Sequence, residues 1–353
     1  MRSRHKAVAA LIAAVALSLS TWTSAQADLV PPPTDITGSD TTWVPGHLPQ
    51  PLLDDVAHPG SATEWWYVHL MEPGTARTFI ALFFTAPLPV TTMFYYPDNG
   101  QKLVLPVVAT PTIASTTTPS AVNSAGGITY DRARGEYHFV FHANGYDIDA
   151  WLSRPTPGVT GGPIRYDGGQ EMYWTSPVAT SHPTGHIRTP DGRTTDLAGW
   201  RGYHDHNWGS FNVLDQRYSG WEWGVSHEPD GSATVLGGVV KGNGVWQGVI
   251  AHADDDGVVG CMATMRLYDW QVAGTFSYPA YENASCPDGA ARRFVPGGLD
   301  PTPLPGLNHT FHVTEPFVLD VGLLALPESV GETVPGSIGL IEHIRTLPPR
   351  LGG

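Results

Sequence analysis

The sequence predicts an antiparallel all-β fold, and three observations support this prediction. Short runs that alternate apolar and polar residues, or that are rich in β-branched and aromatic residues, recur along the chain. Turn signals such as Asn144-Gly145 and Asp230-Gly231 stand between these runs. No amphipathic helical pattern of three turns or more follows the start of the chain, and 40 Gly and 32 Pro in 353 residues are many for a helical protein.

The chain begins with a segment typical of a secretory signal peptide, which we predict to span residues 1–27. Basic residues at positions 2, 4 and 6 precede an apolar run from Ala7 to Leu19, and Ala25-Gln26-Ala27 offers a cleavage site. The run is too short to span a membrane, and no second run of about 18 apolar residues follows. We therefore expect a secreted, extracytoplasmic protein with no integral membrane segment after cleavage.

The charge balance argues against anionic partners. Removing the three basic residues of the leader would lower Lys plus Arg from 19 to 16 against 33 Asp plus Glu, which leaves a net charge near −17. No basic cluster could neutralise a run of phosphates, so we predict no nucleic-acid partner. The acidity is typical of a soluble extracellular protein.

Cys261 and Cys286 are the two cysteines of the chain. In an exported chain two cysteines most often pair, so we predict a disulfide between them. It would close a loop of about 25 residues and stabilise the fold by roughly 3 kcal/mol on the chain-entropy argument. A catalytic cysteine is the weaker alternative, because a neighbouring thiol would favour its oxidation.

The remaining length suits two domains of ordinary size. Residues 28–57 are rich in Pro and Thr and are expected to form an extended N-terminal arm. Residues 58–205 and 206–353 would each form one barrel. Segments rich in Ser, Thr, Pro or Gly are predicted as long loops at Thr110–Ala125, Arg154–Gly169 and Ala284–Gly306.

The segment Thr63–His69 is predicted to be a strand that is covered on both faces. Alternation puts Glu64 and Trp66 on one face and Trp65 and Tyr67 on the other, so large rings point both ways. The rings alone could be core. A carboxylate between large rings is costly unless it is paired or functional, so Glu64 and Trp66 are candidates for substrate binding.

The motif YHDHNWG, which starts at Tyr203, carries the stronger prediction. Tyr203 and Asp205 share one face of a strand, and His204, His206 and Trp208 share the other. If Asp205 lines a pocket, burial would raise its pKa, and it could act as a general acid beside the Tyr203 phenol. The two histidines would instead suggest a metal site, but the sequence identifies no third ligand, so we predict none. Structural hydrogen bonding is the remaining alternative.

Further pocket candidates are large apolar residues on other predicted strands. Aromatic rings in such number suit a hydrophobic, polyene-like or polycyclic ligand, with core packing as the alternative. The additional residues predicted to bind substrate are Met172, Trp174, Trp208, Trp221 and Trp223.

Three segments resemble the AttH family: HPGSATEWWYVHL from His58, GWRGYHDHNWGSF from Gly199 and GWEWG from Gly220. This family includes the carotenoid 1,2-hydratases (hydroxyneurosporene synthases) and is related to fungal decalin-forming Diels–Alderases. The resemblance implies two lipocalin-like antiparallel β-barrel domains packed side by side. It also implies a pocket for a hydrophobic small molecule at or between them, and no cofactor.

The resemblance also implies a pair of site motifs, His-x-Trp and Tyr-x-Asp. Tyr203-x-Asp205 matches the second, whereas Met172-x-Trp174 carries Met in place of His, and a thioether cannot relay a proton. We therefore expect a cofactor-independent cyclase, for which a Diels–Alderase-like pericyclase is one form. It would orient a polyene, polyketide or isoprenoid intermediate of natural-product or antibiotic biosynthesis. The alternatives are a hydratase or isomerase with Asp205 as general acid, and a non-catalytic lipid-binding carrier.

Overall fold

A computed structural model describes residues 48–75, 77–86, 91–96, 103–165, 169–211, 218–241, 246–273, 276–302, 304–320, 324–332 and 336–346. The predicted signal peptide and most of the predicted arm lie outside these residues. Within them the chain is almost entirely antiparallel β, which confirms the predicted fold class. One four-residue helix, α1 (Pro51–Asp54), precedes the first described strand. No helix in the described ranges has the length and apolarity needed to cross a membrane.

The strands follow one another with short connections, as expected for hairpins. The first group in chain order is β1 (Thr63–Met71), β2 (Thr78–Ala86), β3 (Thr91–Tyr96), β4 (Leu103–Val107), β5 (Ile113–Ala114), β6 (Ser120–Asn123), β7 (Gly126–Asp131), β8 (Glu136–Ala143), β9 (Tyr146–Leu152), β10 (Val159–Arg165), β11 (Glu171–Ser181), β12 (Thr184–Arg188), β13 (Thr194–Asp196) and β14 (Arg201–Gly209). The second group is β15 (Tyr218–His227), β16 (Ala233–Lys241), β17 (Trp246–Asp254), β18 (Gly257–Met262), β19 (Thr264–Ala273), β20 (Phe276–Ser285), β21 (Arg292–Val295), β22 (Gly298–Asp300), β23 (Asn308–Asp320), β24 (Leu324–Glu332) and β25 (Ile338–Thr346).

These strands form three sheets. Sheet A has the order β10-β11-β14-β1-β2-β3-β4, and sheet B has the order β13-β12-β9-β8-β7-β6-β5. Sheet C has the order β19-β20-β23-β24-β25-β15-β16-β17-β18-β21-β22. Among the described strands none of these orders closes on itself into a barrel.

The change of sheet bears on the predicted domain boundary. Strand β14 runs through the point between residues 205 and 206 and stays in sheet A to Gly209, and the next described strand begins at Tyr218 in sheet C. The first fourteen strands thus build sheets A and B, and the last eleven build sheet C. The division into two domains near this point stays a prediction.

Three large apolar cores in the described ranges hold the sheets together, beside a small cluster around Ile164 and Val239. Core AB lies between sheets A and B and includes Trp66, Phe79, Phe139 and Phe141. Core C lies within the curled sheet C. The third core, AC, lies between the outer faces of sheets A and C. Burying a large apolar side chain stabilises a fold by about 1.5–3 kcal/mol, so each core contributes substantially.

Strand β1 is the wall that separates two of these cores. All nine of its residues are buried, as predicted for a strand covered on both faces. Trp66 and Val68 pack into core AB, whereas Trp65 and Tyr67 pack into core AC. Alternation along the strand therefore assigns its two tryptophans to different interiors.

Cys261 and Cys286 form a disulfide, with their Cα atoms 6.1 Å apart. Cys261 lies on β18, and Cys286 directly follows β20, so the bond joins two strands that stand far apart in the order of sheet C. It holds the sheet in its curled form around core C, to which both cysteines belong.

Three predicted loops contain strands, and the loop predictions were wrong there. Val159–Arg165 is the edge strand β10, and its Gly161-Gly162-Pro163 sequence lies at an irregularity in its pairing with β11. An edge strand tolerates Gly and Pro, since its outer N–H groups need no partner in the sheet. Turn-forming residues at such a bulge gave a false loop signal. The other strands within predicted loops are β5, β6, β21 and β22.

Candidate functional site

The candidate site is built on the central strands of sheet A. Strand β14 pairs with β1 on one side and with β11 on the other. Asp205 is opposite Tyr67, and Asn207 is opposite both Trp65 and Trp174. Directly opposite residues in an antiparallel pair share a face, so these five side chains lie together on the face toward sheet C.

A cavity of about 110 Å³ lies between this face and sheet C. Most of its walls are aromatic or aliphatic, and carboxyl groups interrupt them on both sides. The cavity is lined by Trp65, Tyr67, Leu82, Phe84, Ile164, Met172, Trp174, Asp205, Asn207, Phe211, Trp221, Glu222, Trp223, Gly237, Gly238 and Glu342.

Asp205 is held by three hydrogen bonds from its own sheet. The Tyr203 hydroxyl donates to Oδ2 at 2.8 Å, and the Trp174 indole N–H donates to the same oxygen at 3.2 Å. The Asn207 amide donates to Oδ1 at 2.9 Å. Tyr203 and Asn207 lie two residues from Asp205 on the same strand, so the period of the β-strand places them beside it.

The pKa of the Asp205 carboxyl group is shifted toward neutral pH. Burial raises the pKa of Asp205 to about 7, against the hydrogen bonds from Tyr203 and Trp174 and the charge of His204, which lower it. Its side chain is almost fully buried. A carboxyl group with such a pKa can hold a proton at neutral pH and release it within the cavity.

The Tyr203 phenol links Asp205 to the opposite wall. The Trp223 indole N–H of β15 donates to the Tyr203 oxygen at 3.2 Å, while the phenol O–H is directed at Asp205. Burial, followed by the charge of Asp205, raises the pKa of Tyr203 well above its usual value. The phenol therefore stays protonated and acts as a fixed donor to Asp205.

The sheet C wall carries a second carboxyl group. Glu342 on β25 is opposite Trp223 on β15, so both side chains share the face toward sheet A. The Trp221 indole N–H donates to Oε2 of Glu342 at 3.1 Å. The neighbouring Glu222 contacts His343 instead, with 2.7 Å between Oε2 and Nδ1.

Two buried histidines border this site. His69 stacks on the Tyr203 ring, and its Nε2 lies 3.2 Å from Nε2 of His227. Burial lowers the pKa of His69 to about 3 and the pKa of His227 well below its usual value. Both rings are therefore neutral, and they add no positive charge beside the Tyr203–Asp205 pair.

Glu64 belongs to a separate polar network on the sheet B side of β1. Its Oε1 accepts a hydrogen bond from the His58 backbone N–H at 2.7 Å and lies 3.3 Å from Nε2 of His206. Its Oε2 accepts a hydrogen bond from Thr85 at 2.6 Å. Burial would raise the pKa of Glu64, but the bonds from His206, His58 and Thr85 outweigh it and hold the pKa at about 2.

Aromatic rings enclose this network. Trp66 stacks on His206 with ring centroids 4.0 Å apart, and Trp208 stacks on His58 at the same distance. His206 also lies 3.4 Å from Asp55, which contacts His204 at 3.1 Å. These contacts fasten the chain before β1 to strands β1 and β14.

Ligand atoms for a metal ion come close together at three places in the described ranges. His58, Glu64 and His206 form one such group; the others are Glu222, Glu282 and His343, and the run Asp254–Asp256. The first group contains His206 of the His-x-His sequence and does not contain His204. Oε1 of Glu64 already contacts both the His58 backbone N–H and Nε2 of His206. Hydrogen bonding therefore explains why these three residues lie close together. The absence of a metal site stays a prediction.

The structure divides the residues predicted to form the site into two sets. The cavity is lined by one set, which comprises Asp205, Met172, Trp174, Trp221 and Trp223. Tyr203 supports this set through its hydrogen bond to Asp205. The remaining three, Glu64, Trp66 and Trp208, lie on the opposite faces of β1 and β14, away from the cavity. They are placed to support the fold, and their assignment to substrate binding stays untested.

Several cavity residues carried no signal in the sequence. Trp65 and Tyr67 belong to the EWWY motif, but alternation alone did not say which face meets a cavity. Phe84 falls in an ordinary apolar context, and Phe211 ends the GWRGYHDHNWGSF motif but was not predicted for the pocket. Glu342 lies on β25 (Ile338–Thr346), where no motif of the sequence indicated a site residue.

No protein-family model and no curated protein sequence matches this chain. Solved structures do match. A candidate AttH protein from Nitrosomonas europaea superposes with a TM-score of 0.57 at 16% identity, over 85% of this chain and 98% of that one. Kievitone hydratase from Nectria haematococca gives 0.56 at 12% identity, over 89% and 98%. CghA gives 0.55 at 12% identity, over 86% and 98%.

These matches define the class of fold. The chain has the lipocalin-like fold of AttH-type proteins, which confirms the resemblance found in the motifs around Trp65 and Asp205. Among the solved structures that share it is an enzyme, kievitone hydratase.

Proposed function

We propose that this chain is a cofactor-independent cyclase in which Asp205 protonates a carbon–carbon double bond of a hydrophobic polyene, polyketide or isoprenoid. One observation carries the proposal: a buried carboxyl group with a pKa of about 7 faces a cavity whose other walls are mostly aromatic or aliphatic. A proton donor is needed to activate an isolated alkene. Aromatic faces stabilise the cation that results and hold the chain in a folded conformation.

The apolar lining favours ring closure over attack by water. Trp174, Trp221, Trp223 and Met172 contribute apolar surface around Asp205, and a cation formed there meets a second double bond of the same substrate. A pericyclic reaction would need no proton donor, so the Asp205 environment favours an acid-initiated reaction. The predicted leader at residues 1–27 supports a site of action outside the cytoplasm, which N-terminal sequencing of exported protein would test.

Hydration is the second candidate. It requires the same proton transfer from Asp205, followed by capture of the cation by water. The observation that favours it is the similarity of fold to kievitone hydratase. The two candidates share the first step and differ in the fate of the cation.

One experiment separates these possibilities. Purified protein is incubated in D2O with geranylgeraniol, squalene and lycopene, and the products are analysed by mass spectrometry. An acid-initiated cyclase gives an isomer that has gained one deuterium and lost one hydrogen, whereas a hydratase gives a product that has gained D2O. A pericyclase gives an isomer without deuterium, and a carrier returns the probe unaltered; either result would contradict the proposal.

Matched variants test the role of Asp205 in the same assay. Asp205→Asn keeps the shape and removes the transferable proton, so deuterated product should disappear. Asp196→Asn, at an exposed position on sheet B, should have no effect.

A further inference from the structure

The cavity presents carboxyl groups on two different sheets, and their surroundings differ. Asp205 of sheet A accepts hydrogen bonds from Tyr203, Trp174 and Asn207. Glu342 of sheet C accepts a hydrogen bond from the Trp221 indole, a group that can only donate, so Oε2 is the acceptor in this contact. Pairs of acidic groups in unlike environments are the usual arrangement for acid and base roles in one site.

We infer that Glu342 is the second catalytic carboxyl group of this cavity, which stabilises the cation formed on the substrate and accepts the proton that the cation loses. This inference rests on the proposed acid role of Asp205. Glu342 lies beside Trp223, whose N–H reaches Tyr203 and thereby the acid on the opposite wall. The two carboxyl groups therefore face one substrate from opposite sheets.

The steps balance without any other reactant. The Asp205 O–H bond breaks, its proton adds to one alkene carbon, and the π electrons form the new C–H bond. The resulting cation is attacked by a second double bond, which forms the ring bond and moves the positive charge. A C–H bond next to that charge then breaks, its electrons form the product alkene, and its proton goes to Glu342. The proton returns to Asp205 through solvent after product release.

The aromatic neighbours fit a cationic species between the two carboxyl groups. Trp221 and Trp223 of the neighbouring strand line the cavity beside Glu342, and the face of a tryptophan ring attracts a cation within about 6 Å. Glu342 is itself buried, with 8% of its surface exposed, and water screens an ionised carboxylate poorly at such a position. A carboxylate in this setting distinguishes a cationic ligand from a neutral one of similar shape.

Binding of cationic and neutral probes tests Glu342 without any turnover. Decyltrimethylammonium and decanol are titrated into the wild-type protein, and binding is followed by quenching of tryptophan fluorescence. We expect the ammonium probe to bind the wild type more tightly than decanol. Glu342→Gln should weaken ammonium binding by about tenfold and leave decanol binding unchanged. Glu136→Gln, a partly exposed position on sheet B, should change neither.

The outcomes separate this inference from the proposed function. Equal affinity of the two probes for the wild type would overturn the role of Glu342, and this measurement does not depend on how any variant folds. Unchanged ammonium binding by folded Glu342→Gln would overturn it as well. Deuterated product from Asp205→Asn would instead overturn the acid role of Asp205, whatever the probes show at Glu342.

Discussion

The Tyr203 hydroxyl donates a 2.8 Å hydrogen bond to Asp205 while it accepts one from Trp223 of the opposite sheet. A phenol has one proton to donate, and the incoming N–H leaves that proton directed at Asp205. The acid of sheet A is thus oriented by a residue of sheet C, so the cavity and its acid depend on the packing of the two sheets.

Asp205→Asn should abolish acid-initiated turnover and spare binding. Asn fills the same space but cannot transfer a proton, and loss of a general acid lowers rates by about 10²–10⁴-fold. Turnover of the reactive isoprenoid probe and decanol affinity should be measured on the same preparation. A variant that loses decanol binding together with turnover would indicate a damaged cavity and not a missing acid.

Activity of the wild type should fall as pH rises through about 7. Burial raises the pKa of Asp205 to this value, and only the protonated form donates. The ionisable groups that face or surround Asp205 are Tyr67, Tyr203, His204, Asp55, Glu222 and Glu342. Tyr203→Phe removes a bond that lowers the pKa of Asp205, so the loss of activity should move to higher pH by about one unit.

The control for this shift is Tyr173→Phe. The Tyr173 hydroxyl donates to Glu171 at 3.1 Å, and Tyr173 is not among the cavity residues. Its pH–rate profile should match that of the wild type. An unshifted profile for folded Tyr203→Phe would show that the phenol does not tune Asp205.

Glu64→Gln should destabilise the protein without weakening decanol binding. The pKa of Glu64 is depressed to about 2, so its carboxylate stabilises the fold above its ordinary pKa of 4.5, and this contribution is lost as pH falls toward 2. A shift of this size corresponds to about 3 kcal/mol at neutral pH for a buried group. Chemical denaturation at pH 7 and at pH 3 should show a difference between wild type and variant that shrinks at the lower pH.

Decanol affinity tests whether Glu64 takes part in ligand binding. Glu64 lies across β1 from the cavity, so the folded variant should bind decanol as the wild type does. A loss of binding at unchanged stability would return Glu64, Trp66 and Trp208 to the substrate site that the sequence suggested.

The sequence predicted the two faces of β1 and β14 correctly because alternation in a strand fixes them. It could not say which face meets a cavity, since both faces carry aromatic and polar residues and both are buried. That choice is made by long-range packing: sheet B covers Trp66 and His206, and sheet C covers Tyr67 and Asp205. Strand pairing over such separations leaves little trace in local sequence.

Glu342 illustrates the other limit of sequence interpretation. It lies between Ile341 and His343 on β25 and belongs to no recognisable motif, and its contact with β15 crosses more than a hundred positions of the chain. The role inferred for Glu342 depends on its contacts with Trp221 and Trp223. The sequence predicted these two tryptophans for the pocket without Glu342. The loop prediction for edge strand β10 was wrong for a different reason. Its Gly and Pro residues indicated a loop, but an edge strand tolerates them because one of its sides is unpaired.

Gly237 should control how much room the substrate has. It lines the cavity on β16, and a Cβ added there would lie 3.5 Å from Trp174, an ordinary contact distance. Gly237→Ala should therefore fold normally and bind decanol almost as well as the wild type. Gly237→Val extends further into the space beside Trp174, so decanol binding and turnover should both fall by about tenfold or more, at a stability cost of about 1–3 kcal/mol.

Gly224→Ala is the matched control, because its added Cβ would lie 3.2 Å from Phe311 within core C and outside the cavity. That variant should lose stability and keep its affinity for decanol. Equal decanol affinity in Gly237→Val and the wild type would show that the ligand does not occupy the space between Trp174 and β16.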